Sequence, residues 1–218
     1  MKVLKFGGSS VANSERIREV KKLIDSESLP VIVIVSAFQG VTDTLKALSE
    51  SAAGHDPGYQ TRLEELINMH RRVCSELLSG ETLEATLVSI NEIFTELTET
   101  LNGLFLLREL SKSSLDKALS TGERVSSIIL SAFLEHSILI DSREIICTDN
   151  EFGNANVDFA ITNPRIRKKI LRRNKLIIVP GFIAATEAGE TTTLGRGGSD
   201  YTAAIIAAAI NADILEIW

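Results

Sequence analysis

The chain has 218 residues, which is long enough to bury a hydrophobic core without disulfides or structural metals. Hydrophobic residues make up 44% and charged residues 24%, so a disordered, collagen-like or purely coiled-coil chain is excluded. Two cysteines and three scattered histidines also exclude a disulfide framework and a tetrahedral zinc site. The net charge is −6, although one segment is strongly basic.

Membrane and nucleic-acid partners are not expected. The longest uncharged apolar runs, Pro30 to Phe38 and Leu176 to Phe182, are too short to cross a bilayer, and the N-terminal segment does not have the pattern of a signal peptide. We therefore expect a cytoplasmic protein. The segment from Arg165 to Lys175 has seven basic residues and no acid, but no aromatic side chain is interleaved for base stacking. We interpret it as the solvated face of a helix, with nucleic-acid binding as the alternative.

In chain order, the sequence opens with the pattern of a βαβ unit. A strand is predicted at 2–6, then a helix capped by Asn13, and then a β-branched strand at 31–35 that is buried on both faces. The segment from about 41 to 136 is predicted to be mainly helical. Its apolar residues at spacings of four and three favour two long helices that pack on each other and on the sheet, over a dimerising coiled coil. These residues are Leu83, Leu87, Ile90, Phe94, Leu97, Leu101 and Leu104.

The last third returns to alternating strands and helices, and it predicts a three-layer α/β sandwich with a mostly parallel central sheet. Because an apolar strand pattern stands at the very end of the chain, we expect a domain that is truncated at its C-terminal side. The predicted elements are strands at 139–140 and 145–147, a helix at 164–173 with Pro164 at its start, a strand at 176–179, a hairpin at 182–194, a helix at 199–212 and a strand at 214–218.

Two glycine-rich loops carry the clearest chemistry. In Lys5–Ser10, glycines let the backbone approach a ligand, and a lysine at a strand end can neutralise a phosphoryl group. In Gly195–Asp200, an arginine suits a substrate carboxylate. Both loops are expected to meet at one crevice of the sheet. Thr121–Glu123 is interpreted as a carboxylate at the start of a helix, and Ser36–Thr42 as a loop that adds hydroxyl and N–H donors.

These loops, together with Ser120–Arg124 and Pro180–Phe182, occur in an order and spacing that resembles the amino acid kinase superfamily, and within it the aspartate kinases. The opening and closing segments, Val3–Asn13 and Ala208–Trp218, look most like the N-terminal kinase part of bifunctional aspartokinase–homoserine dehydrogenases. The resemblance covers the whole chain. It implies one incomplete amino acid kinase domain with a helical excursion at about 41–136.

The resemblance also implies a reaction and a set of residue roles. MgATP would phosphorylate the side-chain carboxylate of L-aspartate to 4-phospho-L-aspartate, the first step toward lysine, threonine and methionine, and no residue is assigned to a resident metal. The implied roles are catalysis for Lys5 and Asp200, phosphate binding for Lys5, Gly7, Gly8 and Ser9, and substrate binding for Thr42, Glu123, Arg196 and Ser199. Within the last group, Glu123 would pair with the substrate ammonium and Arg196 with a substrate carboxylate.

Other interpretations stay open at this point. A kinase that acts on glutamate, acetylglutamate, carbamate or a nucleotide would share these loops, as would a non-catalytic ligand-binding or dimerisation module. Glu123 together with Arg196 favours a free amino acid that carries both charges. Because the family continues beyond the last strand with a segment that helps hold the nucleotide, we expect the 218-residue chain to be weakly active or inactive, and the longer protein to be a homo-oligomer.

Overall fold

The computed structural model describes residues 1–27, 30–171, 173 and 175–218. In these residues, strands and helices alternate at both ends of the chain, and helices fill the middle. The elements are β1 (Lys2–Phe6), α1 (Ser14–Asp25), β2 (Val31–Val35), α2 (Val41–Ala53), α3 (Tyr59–Leu77), α4 (Gly80–Leu107), α5 (Lys112–Phe133), β3 (Ile138–Leu139), a 3₁₀ turn (Ser142–Glu144), β4 (Cys147–Thr148), α6 (Phe159–Ile170), β5 (Ile177–Pro180), β6 (Ile183–Thr186), β7 (Thr191–Thr193), α7 (Gly198–Ile210) and β8 (Ile214–Ile217).

The central sheet has five strands in the order β3-β5-β2-β1-β8, and all its pairings are parallel. Strands β1 and β2 pair from Lys2 opposite Val31 to Phe6 opposite Val35. Every residue of β2 is buried, as its run of valine and isoleucine predicts for a strand covered on both faces. A second sheet, in the order β4-β6-β7, contains the predicted hairpin as antiparallel β6 and β7.

Helices cover both faces of the central sheet, which confirms the three-layer α/β sandwich. Leu4 and Phe6 of β1 belong to a hydrophobic core that they share with α1 to α5. Val3 of the same strand belongs to a second core with α6 and α7. Because side chains alternate along a strand, the two cores lie on opposite sides of the sheet. No helix among the described residues is long and apolar enough to span a membrane.

The four helices between β2 and β3 pack on one another and on the sheet. The predicted seam on α4 faces this core: Leu83 and Leu87 are partly buried against it, and its other five residues are fully buried. The packing of α4 against α2, α3 and α5 agrees with the interpretation as packed helices within one chain. His70 on α3 is 1% exposed, and its ring lies 5.1 Å from the ring of Phe38. It is therefore a core residue.

One helix begins earlier than predicted. Helix α6 starts at Phe159 and not at Pro164, because the Asp158 carboxylate accepts the N–H groups of Ala160 and Ile161 and caps the helix there. Pro164 lies inside the helix, where its missing N–H removes a single backbone hydrogen bond. The short strands β3 and β4 also differ from their predicted bounds by one or two residues.

The basic segment from Arg165 to Lys175 contains buried as well as exposed residues. Ile166 and Ile170 are fully buried, whereas Leu171 is 48% exposed. Lys169 forms an ion pair with Glu144 at 2.8 Å. Positions 172 and 174 lie outside the described residues. The segment therefore supplies one face of α6 to the second core. The charged residues that the structure shows as exposed are Arg167, Lys168, Lys169, Arg173 and Lys175.

Candidate active site

A cleft of about 420 Å³ opens at the carboxyl ends of β1, β2 and β5. Parallel strands bring the loops that follow them to one edge of the sheet, which is where open α/β sheets bind ligands. The helix α5 and the turn before α7 complete the wall. The lining residues are Lys5, Gly8, 36–40, Thr42, Asp43, Glu123, Phe182 and 195–200.

The cleft brings together seven of the nine predicted site residues. Those seven are Lys5, Gly8, Thr42, Glu123, Arg196, Ser199 and Asp200. Gly7 and Ser9 do not line it. The Gly7 N–H donates to the Trp218 carbonyl at 3.0 Å and so continues the β1–β8 pairing, whereas Ser9 is exposed on the turn that follows. The assigned roles remain predictions, and the geometry gives no support for Gly7 and Ser9 as lining residues.

Lys5 is held at the floor of the cleft by an ion pair. It stands near the end of β1 and is 8% exposed, and its Nζ lies 2.6 Å from Oδ1 of Asp200. Asp200 lies in the first turn of α7, where a carboxylate is favourable because of the helix dipole. The pair therefore joins β1 to α7 and fixes the position of the ammonium group.

Two helices direct their N-termini into the cleft. Helix α2 follows Gly40 and helix α7 follows Gly197; these glycines have left-handed φ angles of +79° and +74°. Neither helix has a side-chain cap. The Val41 and Gly198 N–H groups donate to the Phe38 and Gly195 carbonyls, but the N–H groups of the next two residues in each helix have no partner among the described residues and are available to a ligand. Because free N–H groups and the helix dipole both attract negative charge, the cleft suits an anionic ligand such as a phosphate or a carboxylate.

Glu123 was predicted to lie at the start of a helix, and this is wrong. It is the twelfth residue of α5, which begins at Lys112 with Ser111 as its cap. The glycine before it has a packing role: a Cβ at Gly122 would lie 2.7 Å from the Cβ of Ala37. Glycine is therefore required because α5 passes close to the loop after β2, and the same approach carries Glu123 into the cleft.

The Glu123 carboxyl is buried without a full set of partners. It is 3% exposed, and its Oε2 has no hydrogen-bond partner among the described residues. Burial raises the pKa of Glu123 to about 8, and hydrogen bonds from the backbone of Ala37 and of Glu123 itself oppose that shift. Glu123 Oε2 could therefore accept a hydrogen bond from a cationic group of a ligand, because no described residue donates to it.

Arg196 provides the complementary charge. It is exposed at the glycine-rich turn before α7, and it forms no ion pair with any described residue. The cleft therefore contains one paired ammonium group, one unpaired guanidinium group and one buried carboxyl group. Such a set can bind a small molecule that carries both a positive and a negative charge, next to a second, anionic ligand.

Phe182 also lines the cleft, although no role is predicted for it from the sequence. Its φ of +66° is left-handed, and its N–H donates to Thr202 Oγ1 at 3.0 Å. A Cβ at Gly198 would lie 2.7 Å from the Phe182 ring, so this glycine is needed for the close approach. Gly181 and Gly198 are the sequence features that could have indicated this close approach. Only the fold shows that the two segments contact each other. Asp43, in the first turn of α2, was also missed.

Gly122→Ala is expected to destabilise the protein although alanine is the better helix former. The new methyl group would overlap Ala37, so we expect the melting temperature to fall by several degrees, as for about 1–3 kcal/mol of overpacking. The matched control is Gly103→Ala in α4, where a Cβ meets nothing within 4 Å; it should raise stability by up to about 1 kcal/mol. Thermal unfolding of both variants checks this, and equal shifts would contradict it.

The stability of the free chain should carry a pH-dependent contribution from Glu123. Its pKa is about 8 in the folded state against 4.5 ordinarily, so between these values the folded chain binds the extra proton. Raising the pH through this window therefore favours unfolding. Glu123→Gln removes the contribution, so the variant should gain stability relative to the parent chain between pH 5 and pH 8. Denaturant titrations at both pH values test this, and parallel curves would refute it.

The whole chain matches the model of a known protein family. The model of the amino acid kinase family matches residues 1–218, and the chain belongs to that family. This agrees with a cleft at the carboxyl ends of parallel strands, with a lysine and two helix N-termini at its floor.

The relatives and a solved structure narrow the comparison to aspartokinases. The chain is 33% identical to bifunctional aspartokinase/homoserine dehydrogenase 1, chloroplastic, of Arabidopsis thaliana, over 99% of this chain and 24% of that protein. It is 31% identical to lysine-sensitive aspartokinase 3 of Escherichia coli, over 99% of this chain and 48% of that protein. The crystal structure of E. coli aspartokinase III in complex with aspartate and ADP superposes with a TM-score of 0.91 at 30% identity, over all of this chain and 48% of that one. The chain thus spans about a quarter to a half of their length.

Proposed function

We propose that this chain supplies the catalytic cleft of an aspartate kinase, which transfers the γ-phosphoryl group of ATP to the side-chain carboxylate of L-aspartate. The observation that carries the proposal is the meeting of Glu123, Arg196 and Lys5 in one cleft. They offer partners for an ammonium group, a carboxylate and a phosphoryl group respectively. The aspartokinase relatives, and the aspartate and ADP in the E. coli structure, support the same substrates.

The chemistry requires position and positive charge rather than a protein nucleophile. An oxygen of the substrate carboxylate attacks the γ-phosphorus, the bond to the β-phosphate oxygen breaks, and ADP leaves with that electron pair. The carboxylate is already deprotonated near neutral pH, so no general base is needed. Lys5 would neutralise the transferring group, with Gly8 beside it, while the unpaired N–H groups in the first turns of α2 and α7 would reduce the repulsion between the two anions.

Recognition of the amino acid would involve four residues. Glu123 would accept hydrogen bonds from the ammonium group, and Arg196 would bind a carboxylate through its planar guanidinium. Thr42 and Ser199 also line the cleft and would add hydroxyl hydrogen bonds. Asp200 would keep Lys5 oriented through their ion pair. A buried acceptor for a cation disfavours acetylglutamate and carbamate, neither of which carries an ammonium group.

Magnesium would enter with ATP as part of the substrate. The ion commonly uses one or two carboxylates together with phosphate oxygens and water, and the cleft has Asp43 and Asp200 at its wall. Across the described ranges, no three His, Cys, Asp or Glu side chains gather into a group that could hold a metal ion by themselves. The carboxylates of Asp43 and Asp200 therefore fit a Mg²⁺ ion that is bound mainly by the phosphates of the nucleotide.

Two measurements test the proposal. Calorimetry on the 218-residue chain should show that L-aspartate binds and that succinate, which lacks the ammonium group, binds far more weakly. The gene product that contains this chain, given MgATP, should form an acyl phosphate that hydroxylamine traps, with L-aspartate and not with L-glutamate. We propose that the isolated chain binds aspartate but turns it over weakly, and that the longer protein is a homo-oligomer. A signal with L-glutamate alone would point to another amino acid kinase.

A further inference from the structure

Asp116 is a buried carboxylate that does not line the cleft. It lies in the second turn of α5 and is 1% exposed. One oxygen accepts the N–H groups of Gly153 and Thr193 at 2.8 and 2.9 Å, and the other accepts the Thr193 hydroxyl at 2.8 Å. Burial raises the pKa of Asp116, although these three donors oppose the shift. A buried carboxyl group that accepts three hydrogen bonds joins separate parts of the chain. Its loss would destabilise the fold, because three buried donors would then lack an acceptor.

The hydrogen bonds of Asp116 are connected to Glu123 through helix α5, which carries both residues. Asp116 and Glu123 are seven residues apart on α5, so they lie on the same side of the helix, about 10.5 Å apart along its axis. The helix is also joined to the loop after β2, because the Ser126 hydroxyl donates to the Ser36 carbonyl at 2.8 Å. The position of α5 therefore fixes the position of the buried carboxyl group in the cleft.

The hydrogen bonds of Asp116 are connected to Arg196 through Thr193. Thr193 is the last residue of β7, and Arg196 follows three residues later. Gly195, between them, has a left-handed φ of +73°, so the chain turns sharply into the cleft at this point. By binding both the N–H and the hydroxyl of Thr193, Asp116 holds the strand end from which this turn starts.

The loop that contains Gly153, the other partner of Asp116, packs against the same glycine-rich turn. Asn154, the residue after Gly153, lies against Gly195 so closely that a Cβ on that glycine would collide with its side-chain oxygen. The Ala155 N–H donates to the Thr193 carbonyl at 2.9 Å. Asp116, the end of β7 and this loop therefore form one hydrogen-bonded unit beneath the glycine-rich turn.

We propose that Asp116 is a positioning residue, which sets the separation between Glu123 and Arg196 so that both can bind one amino acid molecule. The inference rests on the proposed function, because it assumes that these two groups share a ligand. Without Asp116, three buried donors lose their acceptor, and the turn that carries Arg196 is no longer tied to α5.

The test compares two replacements of Asp116 by calorimetry with L-aspartate on the 218-residue chain. Asp116→Ala should raise the dissociation constant at least about tenfold. Asp116→Asn should stay within about threefold of the parent chain, because its carbonyl can accept both N–H groups while its amide donates to the Thr193 hydroxyl oxygen. Such a rescue by an isosteric side chain reports on geometry rather than on charge.

The matched control is Thr162→Val in α6, which removes buried hydrogen bonds to Cys147 outside the cleft. It should lower the melting temperature and leave the affinity for L-aspartate unchanged. If Asp116→Ala does not fold, Thr193→Val removes only one of the three bonds and should raise the dissociation constant about threefold.

The outcomes separate the two proposals. A parent chain that does not bind L-aspartate would overturn the proposed function and, with it, this role for Asp116. A parent chain that binds, with a folded Asp116→Ala variant whose affinity equals that of Thr162→Val, would overturn the positioning role alone. The same holds if Asp116→Asn loses as much affinity as Asp116→Ala, or if Thr193→Val, tested in its place, has the affinity of the parent chain.

Discussion

Replacing Lys5 with methionine is expected to reduce acyl phosphate formation by the gene product that contains this chain by about 10²–10³-fold. Methionine keeps the unbranched apolar stem, so the packing of β1 is retained while the ammonium group is lost. The remaining negative charge of Asp200, which is half-exposed, would then face the incoming phosphates. Initial rates of hydroxamate formation at saturating L-aspartate measure the effect, because a charge needed in the transition state acts on kcat.

The matched control for Lys5 is Lys2→Met on the same strand. Lys2 forms ion pairs with Glu27 and Glu216 at 2.9 and 3.0 Å, but it lies at the opposite end of β1, away from the cleft. An ion pair near the surface contributes at most about 1 kcal/mol, so this variant should keep normal turnover. Equal rates for the Lys5 and Lys2 variants would refute the catalytic assignment of Lys5.

The second large effect is expected at Arg196, on substrate affinity. Arg196→Ala removes a charge-assisted hydrogen-bond donor worth about 1.5–3 kcal/mol, so the dissociation constant for L-aspartate should rise about 10–100-fold. Arg196→Lys should recover only part of this loss, because a point charge cannot form the paired hydrogen bonds of a guanidinium. Calorimetry on the 218-residue chain measures both variants.

The control for Arg196 is Arg72→Ala, because Arg72 is exposed on α3 and does not line the cleft. It should bind L-aspartate like the parent chain. The stability of the Arg196 variants should also stay close to that of the parent, since the exposed side chain forms no ion pair with the described residues. An unchanged affinity in Arg196→Ala would mean that another group binds the carboxylate.

Much of the fold could be predicted because local pattern and tertiary position agree. The run at 31–35 could only be a strand buried on both faces, and it is the centre of the sheet. Asn13 had the side chain of a helix cap, and it accepts the Arg16 N–H at 3.0 Å. The glycine-rich segments after β1 and before α7 could be placed at the crevice, because loops of parallel strands share one edge.

What could not be predicted depends on contacts between distant segments. Gly122 has the local signature of a helix start, and only the close approach of Ala37 explains it inside α5. The N–H of Gly7 looked available to a phosphate, but pairing with the Trp218 carbonyl uses it. Asp116 could not be distinguished from a solvated helix residue, since its partners Gly153 and Thr193 lie far along the chain.

The two uncapped helices that begin at the cleft belong to different layers of the sandwich. Helix α2 packs in the core on one side of the sheet, and α7 packs in the core on the other. A ligand that binds both N-termini would therefore bridge the two layers at the carboxyl edge of the sheet. Its binding free energy adds directly to the cohesion of the sandwich, by an amount that grows with ligand concentration. A ligand in this cleft would thus also be a structural component of the fold, present only while the cleft is occupied.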